Sequence, residues 1–163
     1  MRVRQTVLLP ATVLALLLPA AQAAADFGPP MESGPGAAAI VQRFELVWSE
    51  DTGLREGNAS FGRQHIANGG STGNTSNHEL TAAAKGLWLK AMDSVEKGSW
   101  TEPFKGGRLS TYKYSTGNGT KRTMCVLTDD NNYRYSGKDY GRKGIITAYW
   151  VNGHVGPGGC SKD

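Results

Sequence analysis

The sequence predicts an α+β fold in which helices come first and an antiparallel β-meander follows. Length is the first observation: the chain has 163 residues, and setting aside a leader of 25 leaves about 138, which suits a single domain. A run at 79–97 has apolar residues at every third or fourth position, which is typical of a helix. After residue 103, β-rich runs alternate with turns that contain Gly and Asn.

The leader covers residues 1–25 and has the three parts of a signal peptide. It begins with Arg2 and Arg4, continues with an apolar run at 6–19, and ends in small residues around Ala21 and Ala23 that suit cleavage. A membrane anchor is the alternative, but the run is shorter than the ~20 residues that span a bilayer. We therefore expect a secreted protein with no membrane span in its mature form.

The first half of the mature chain predicts two helices around a long loop. Residues 26–36, with three prolines and three glycines, predict a flexible lead-in, so the domain is expected at 37–163. Helical spacing predicts a short helix over 37–48, with the apolar positions Ile40, Val41, Phe44, Val47 and Trp48. Residues 61–78 are rich in Gly, Ser, Thr and Asn, which predicts a loop. A second helix over 79–97 ends before Gly98 and is expected to bury Leu80, Ala84, Leu87, Ala91 and Val95.

The second half predicts strands separated by turns. The strands are expected at 109–114, 122–128, 133–135 and 145–151, with turns at 115–119 and 129–132 and a loop at 137–144. The N-terminal helices are expected to pack on this meander.

Charge divides the chain at residue 104. Residues 26–104 carry 6 basic and 10 acidic side chains, whereas residues 105–163 carry 10 basic and 4 acidic ones. Seven aromatic residues lie among the charges of the second part: Tyr112, Tyr114, Tyr133, Tyr135, Tyr140, Tyr149 and Trp150. This combination favours binding of a polyanion, and the alternative is a cationic surface that only aids solubility.

Cys125 and Cys160 are the two cysteines, and in a secreted protein they predict one disulfide. The closed loop of about 35 residues would stabilise the fold by about 3–4 kcal/mol. The sequence has no CxxC and no HExxH motif, so we expect neither a cysteine nucleophile nor a metal site, and no cofactor.

Two of the three histidines, His65 and His78, bracket the loop. Near neutral pH one imidazole can act as a base while a second acts as an acid. RNA is a substrate for which such a pair suffices, because its 2′-hydroxyl supplies the nucleophile. DNA has no such hydroxyl, and a site of this kind would not cleave it.

The segment from His65 through Gly69 and Gly70 to His78, followed by a helix and by the run GIITAY at 144–149, resembles the bacterial EndoU-type endoribonucleases. The resemblance spans about residues 61–151. It implies that His65 and His78 are the acid–base pair. It also implies a catalytic lysine, for which Lys113 on the first predicted strand is the first choice and Lys105 and Lys121 are alternatives. Thr147 would position phosphate or base, and Tyr149 would pack against ribose or base.

Two features of the sequence leave alternatives to the EndoU-type resemblance open. Asn77 stands directly before His78, where the family has a compact glycine run, and the run YRYSGKDY at 133–140 is similar to the last segment of barnase-type ribonucleases. A non-enzymatic secreted binding or inhibitor module with a basic aromatic face is a third interpretation.

For the endoribonuclease we expect a monomer with an RNA substrate and metal-independent cleavage to a 2′,3′-cyclic phosphate. If it is a toxin, we also expect a neutralising immunity protein.

Overall fold

A computed structural model of the chain describes residues 34–47, 50–93, 95 and 97–160. The predicted leader, residues 26–33 of the predicted lead-in, and Trp48 lie outside the described residues. The elements in chain order are β1 (Ile40–Phe44), β2 (Thr52–Arg55), α1 (Gly62–Ala67), α2 (Ala82–Asp93), β3 (Ser99–Phe104), β4 (Gly107–Ser115), β5 (Lys121–Tyr135) and β6 (Lys138–Asn152). Short 3-10 turns lie at Pro35–Ala38, Gly70–Thr72 and Pro157–Gly159.

The second half of the chain forms a four-stranded antiparallel sheet in the order β3-β4-β5-β6. Each strand pairs with its neighbour in sequence, so the predicted α+β class and β-meander are confirmed. Strand β3 was not predicted, because Pro103 and the polar residues beside it give no strand pattern. Proline is tolerated here because β3 is an edge strand, where its missing N–H removes no ladder bond.

The main core lies between α2 and one face of the sheet. Thr81 precedes helix α2 and caps it, because its hydroxyl accepts a hydrogen bond from Ala84 N at 3.1 Å. The helix buries Ala84, Trp88, Ala91 and Met92. Four of the sheet residues in the same cluster are Met124, Val126, Ile145 and Ala148. The prediction of a helix over 79–97 is therefore confirmed for its central turns, whereas Val95, expected on the buried face, is 52% exposed.

The prediction of a helix over 37–48 is wrong, because Ile40–Phe44 is strand β1 and pairs antiparallel with β2. Gln42 lies opposite Leu54, and Phe44 lies opposite Thr52. The apolar residues matched a helical period, but the β-branched pair Ile40 and Val41 favours extended backbone, and pairing with β2 decides the outcome. Only Phe44 of this strand is buried.

The predicted turn at 129–132 and most of the predicted loop at 137–144 are also wrong, because β5 and β6 continue through them as one long hairpin. Asp129 and Asn132, which were expected in a turn, lie within β5 at irregularities of its pairing with β6. Asp129 Oδ1 accepts a hydrogen bond from Asn131 N at 2.9 Å, which satisfies a donor at the irregular pairing. The actual reversal is Ser136–Gly137, where both residues have positive φ (49° and 76°), as a tight two-residue hairpin requires. The predicted loop at 137–144 is therefore mostly strand.

The loop predicted at 61–78 contains helix α1, which packs against β6. The hairpin of β1 and β2 also lies against β6, at Gly144. A Cβ at Gly144 would collide with the backbone oxygen of Gly53, and the φ of +81° also favours glycine. No helix in the described part of the chain is long and apolar enough to cross a bilayer.

Candidate functional site

His78 lies against the last strand of the sheet. Its ring stacks on the ring of Tyr149 with a centroid distance of 5.3 Å and an interplanar angle of 27°. Its Nδ1 lies 2.7 Å from Asn74 O and 2.9 Å from Asn77 Oδ1. The residue is 6% exposed. His78 is therefore held by stacking on one side and by hydrogen bonds within its own loop.

The loop that carries His78 is fastened to the outer edge of β6 by Asn77. Trp150 N donates to Asn77 O at 3.0 Å, and Asn77 Nδ2 donates to Trp150 O at 3.0 Å. Strand β6 is the last strand of its sheet, so this side of its backbone is open to such pairing. Asn77 thus pairs with the strand as a backbone neighbour would, and its side chain also contacts His78.

His65 lies on α1 and is 5% exposed. Its Nδ1 lies 2.7 Å from Ala59 O. The helix is attached to the end of β2 by Glu56, whose carboxylate accepts hydrogen bonds from Arg63 Nε at 2.8 Å and from Gln64 Nε2 at 2.7 Å. The Glu56 backbone oxygen also accepts a bond from Gln64 N at 3.0 Å. These bonds fix the helix immediately beside the histidine.

The hydrogen bonds define the same tautomer for both rings. A backbone carbonyl can only accept, so Nδ1 of His65 and Nδ1 of His78 must each carry a hydrogen. In the neutral imidazole, Nε2 is then the nitrogen with the lone pair. Nε2 is therefore the nitrogen at which each neutral ring can accept a proton.

Thr147 and Tyr149 lie on the same face of β6, and both are buried. Thr147 is opposite Leu127, and Tyr149 is opposite Cys125 on β5. The Tyr149 hydroxyl donates to Cys160 O. The structure thus brings together His78 and Tyr149 directly, and it places Thr147 one side-chain repeat along the same strand.

Lys113 lies on β4, and β5 separates β4 from β6. Two strand spacings, about 9.5 Å, therefore separate the Lys113 backbone from β6. It pairs with Thr123, which pairs with Val151, so Lys113 shares the sheet face of Tyr149. Its exposed side chain lines a cavity of about 350 Å³ together with Gly98, Ser99, Trp100, Thr111, Gly156 and Pro157.

The alternative lysines stand at the two ends of the sheet. Lys105 is in the turn between β3 and β4, with its Nζ 5.1 Å from the centroid of the Phe104 ring. Lys121 is the first residue of β5 and is exposed. Lys113 is the one of the three that lines the cavity described above.

The predicted disulfide between Cys125 and Cys160 is present, with a Cα–Cα distance of 5.9 Å. It ties the C-terminal segment, residues 155–160, to the sheet face that carries Tyr149. Val155 of this segment packs against the apolar cluster formed by Leu109, Cys125, Tyr149 and Cys160. The C-terminal segment therefore lies on the face between the Tyr149 region and the Lys113 cavity.

Sequence reasoning missed three residues of this region. Asn77 and Glu56 act through partners that are distant in sequence or in another element, and no local pattern marks them. Trp100 lies on the unpredicted strand β3 and is 60% exposed. An isolated tryptophan in a polar stretch was the available signal. Among the described residues, no group of three or more His, Cys, Asp or Glu side chains is placed to hold a metal ion.

Comparison of the chain with protein-family models, with curated proteins and with solved structures finds no match.

Proposed function

We propose that this protein is a secreted endoribonuclease that cleaves single-stranded RNA by transphosphorylation. The observation that carries the proposal is the matched anchoring of two imidazoles. His65 and His78 each donate from Nδ1 to a backbone oxygen, and His78 stacks on Tyr149 of the terminal strand. Such anchoring leaves Nε2 as the basic nitrogen of each ring, which is what an acid–base pair needs.

The reaction requires two proton transfers and no external nucleophile. One Nε2 takes the proton of the 2′-hydroxyl while the 2′-oxygen forms a bond to phosphorus. The bond from phosphorus to the 5′-oxygen breaks, and the second histidine, as imidazolium, gives its proton to that oxygen. The products are a 2′,3′-cyclic phosphate and a 5′-hydroxyl, and the two histidines end with exchanged protonation states.

A lysine would stabilise the phosphorane, which carries one more negative charge than the phosphate of the substrate. Lys113 remains the first choice, with Lys105 and Lys121 as alternatives. The shared sheet face of Lys113 and Tyr149 supports this choice. Thr147 would contact phosphate or base beside His78.

The resemblance to EndoU-type endoribonucleases supplies the remaining parts of the proposal. A preference for uridine, a role as a toxin and an immunity protein as the neutralising partner come from that resemblance and from the predicted export. The disulfide is compatible with export. The barnase-type alternative places its last segment at residues 133–140, which form the tip of the β5–β6 hairpin.

The test compares the wild type with His65→Ala and His78→Ala on single-stranded RNA in EDTA. Each variant is expected to cleave RNA about 10²–10⁴-fold more slowly than the wild type, since each removes one proton-transfer group. Circular dichroism and thermal unfolding control for folding. A folded variant of either kind that cleaves at the wild-type rate contradicts the acid–base assignment.

A non-enzymatic binding module is the second candidate. The low exposure of both histidine residues, 5% for His65 and 6% for His78, favours it, because histidines that only stabilise a fold are buried and hydrogen-bonded in the same way. The pH profile discriminates between the two functions. Cleavage by a histidine pair gives a bell-shaped dependence on pH, whereas a binding surface for phosphates responds chiefly to salt.

A further inference from the structure

Trp100 is an unusual residue for its position. It is 60% exposed, although tryptophan is largely buried on average in folded proteins. It lies on edge strand β3 opposite Thr111 of β4. Its neighbours include the exposed Lys113 and the segment of Gly156 and Pro157, which together with it enclose a cavity of about 350 Å³. An aromatic side chain and a cation thus line the same concave surface.

The pairing register places Trp100 on the same sheet face as the proposed reaction site, and the C-terminal segment covers the buried residues between them. Trp100 is opposite Thr111, Thr111 is opposite Cys125, and Cys125 is opposite Tyr149. Directly opposed residues point to the same face, so this row crosses all four strands on one side of the sheet. His78 stacks on the Tyr149 end of the row. Three strand spacings, about 14 Å, separate the backbones at its two ends.

We infer that Trp100 and Lys113 form a second nucleotide-binding subsite, in which a base of single-stranded RNA stacks on Trp100 and an adjacent phosphate contacts Lys113. Base stacking on an exposed aromatic ring beside a cation is the usual means of binding single strands without sequence preference. A cavity of this volume also falls in the range of small-ligand sites.

The inference rests on the proposed function: the subsite holds a nucleotide that flanks the one cleaved beside His78. In this arrangement Lys113 contacts the flanking phosphate, so the positive charge at the cleaved phosphate comes from Lys105 or Lys121, the two alternatives named above. The positive charge of Lys113 favours RNA, which is anionic, over a neutral ligand. A tryptophan alone would equally suit a sugar ring, but the residues that enclose this cavity include a lysine and no acidic side chain. An anionic chain is therefore favoured over a neutral one.

Binding is tested with a 2′-O-methyl hexauridylate, which has no free 2′-hydroxyl and is not cleaved. Trp100→Leu is expected to weaken the Kd by about 5- to 150-fold, corresponding to the loss of one stacked base. Lys113→Gln is expected to weaken binding and to reduce the slope of log Kd against log salt by about 1. Lys138→Gln is the matched control, because Lys138 is also exposed and lies 5.0 Å from an aromatic centroid, that of Tyr140, but on another hairpin.

A Kd within twofold of the wild type for Trp100→Leu overturns the inference, as does an equal loss for Lys138→Gln and Lys113→Gln. Binding that is independent of salt and of Lys113 also overturns it, since the site would then suit a neutral ligand. The cleavage rates of His65→Ala and His78→Ala show whether the subsite or the proposed nuclease function has failed. If both histidine variants cleave fully while Trp100→Leu loses binding, the nuclease assignment fails and the subsite remains as an RNA-binding site. If the histidine variants are inactive and Trp100→Leu binds normally, the subsite alone fails.

Substrate length gives an independent measurement on the active enzyme. A flanking subsite contributes only when the RNA is long enough to reach it. Trp100→Leu is therefore expected to raise KM for a hexanucleotide and to leave kcat/KM for a dinucleotide within twofold of the wild type. A proportional loss for both substrates would show that Trp100 acts on the reaction site itself.

Discussion

Asn77 links the loop of His78 to the sheet by hydrogen bonds. Its backbone oxygen and its side-chain amide both hydrogen-bond to the backbone of Trp150, and its Oδ1 lies 2.9 Å from Nδ1 of His78. It also stands directly before His78, where the proposed relation to EndoU-type endoribonucleases would predict a glycine. The asparagine thus supplies two functions that glycine cannot: a side-chain acceptor for the imidazole and a donor for the strand edge.

Replacing Asn77 by Ala is expected to lower kcat for RNA cleavage by about 10- to 100-fold with little change in KM. The loop keeps its backbone bond to Trp150, but the His78 ring loses the acceptor that Asn77 supplies, and small misplacement of a reacting group is costly. Steady-state kinetics measure the effect. Asn77→Asp, which keeps an acceptor oxygen, should retain more activity than Asn77→Ala.

Asn118→Ala is the control for this prediction. Asn118 also accepts hydrogen bonds through Oδ1, from Thr116 and Thr120, but in an exposed turn at the far end of the β4–β5 hairpin. Its kcat should equal that of the wild type. Equal kinetics for Asn77→Ala and Asn118→Ala would show that Asn77 does not position the histidine.

Individual residues were predictable from the sequence where their chemistry is rare. The cysteine pair was predicted correctly as a disulfide. Histidine occurs three times in the chain, so His65 and His78 could be chosen as candidates by type and spacing, and their role stays a prediction. Asn77 could not, because asparagine is common in the same loop and its role depends on Trp150, 73 positions away in sequence. Contacts of this range are decided by the fold rather than by local pattern.

Elements were predictable where local periodicity and tertiary packing agree. The central helix was predicted because its apolar stripe is the one that packs on the sheet. Strand β1 was not, because a 3.6-residue period can be matched by chance over 12 residues, and pairing with β2 outweighed it. The polar residues 129–132 predicted a turn, yet the strands continue because Tyr133 beyond them packs on Phe61 with a centroid distance of 5.1 Å.

At the scale of elements, Glu56 is expected to control the attachment of α1. Substitution by Gln should lower the free energy of unfolding at neutral pH by about 1–3 kcal/mol, because hydrogen bonds to a charged carboxylate from Arg63 and Gln64 are weakened. Cleavage should also fall, since His65 lies on the same helix. Urea unfolding and RNA cleavage measure the two effects.

The contribution of the Glu56 carboxylate to the free energy of unfolding depends on pH. Hydrogen bonds from Arg63, opposed by burial and assisted by Gln64, lower the pKa of Glu56 below its ordinary value of 4.5. Because the folded-state pKa is the lower one, the stabilisation is present above the ordinary value and is lost as pH falls through the folded-state pKa. The difference in stability between wild type and Glu56→Gln should therefore be largest near neutral pH and shrink below about pH 4.5. A difference that stays constant down to about pH 3 would contradict the assignment to the carboxylate charge.

The whole molecule combines an acidic first part, which supplies both histidines, with a basic second part, which supplies the sheet. The sheet brings Lys113 and Tyr149 to one face, and the first part places His78 beside that face. The charge asymmetry was visible in the sequence, but the row from Trp100 to Tyr149 was not. That row depends on the register of three strand pairs and on strand β3, which no local signal predicted.

The disulfide provides a test at this scale, because it fastens the C-terminal segment across the row. Replacing Cys125 and Cys160 together by Ala should lower the free energy of unfolding by about 3–4 kcal/mol, the cost expected for releasing a loop of this length in the unfolded chain. It should also detach Gly156 and Pro157 from the cavity that holds Trp100 and Lys113, and weaken the anchor of the Tyr149 hydroxyl at Cys160 O.

These two consequences predict different kinetic effects. Release of the cavity wall should raise KM for a hexanucleotide, whereas His65 and the loop of His78 are anchored through Ala59, Asn74 and Trp150, none of which depends on the disulfide. Cleavage of a dinucleotide, measured well below the unfolding temperature, should therefore persist within about threefold, since the contacts that orient the reacting groups remain. Equal losses for both substrate lengths would mean that the disulfide supports the reaction site itself, through Tyr149 and the ring of His78 stacked on it.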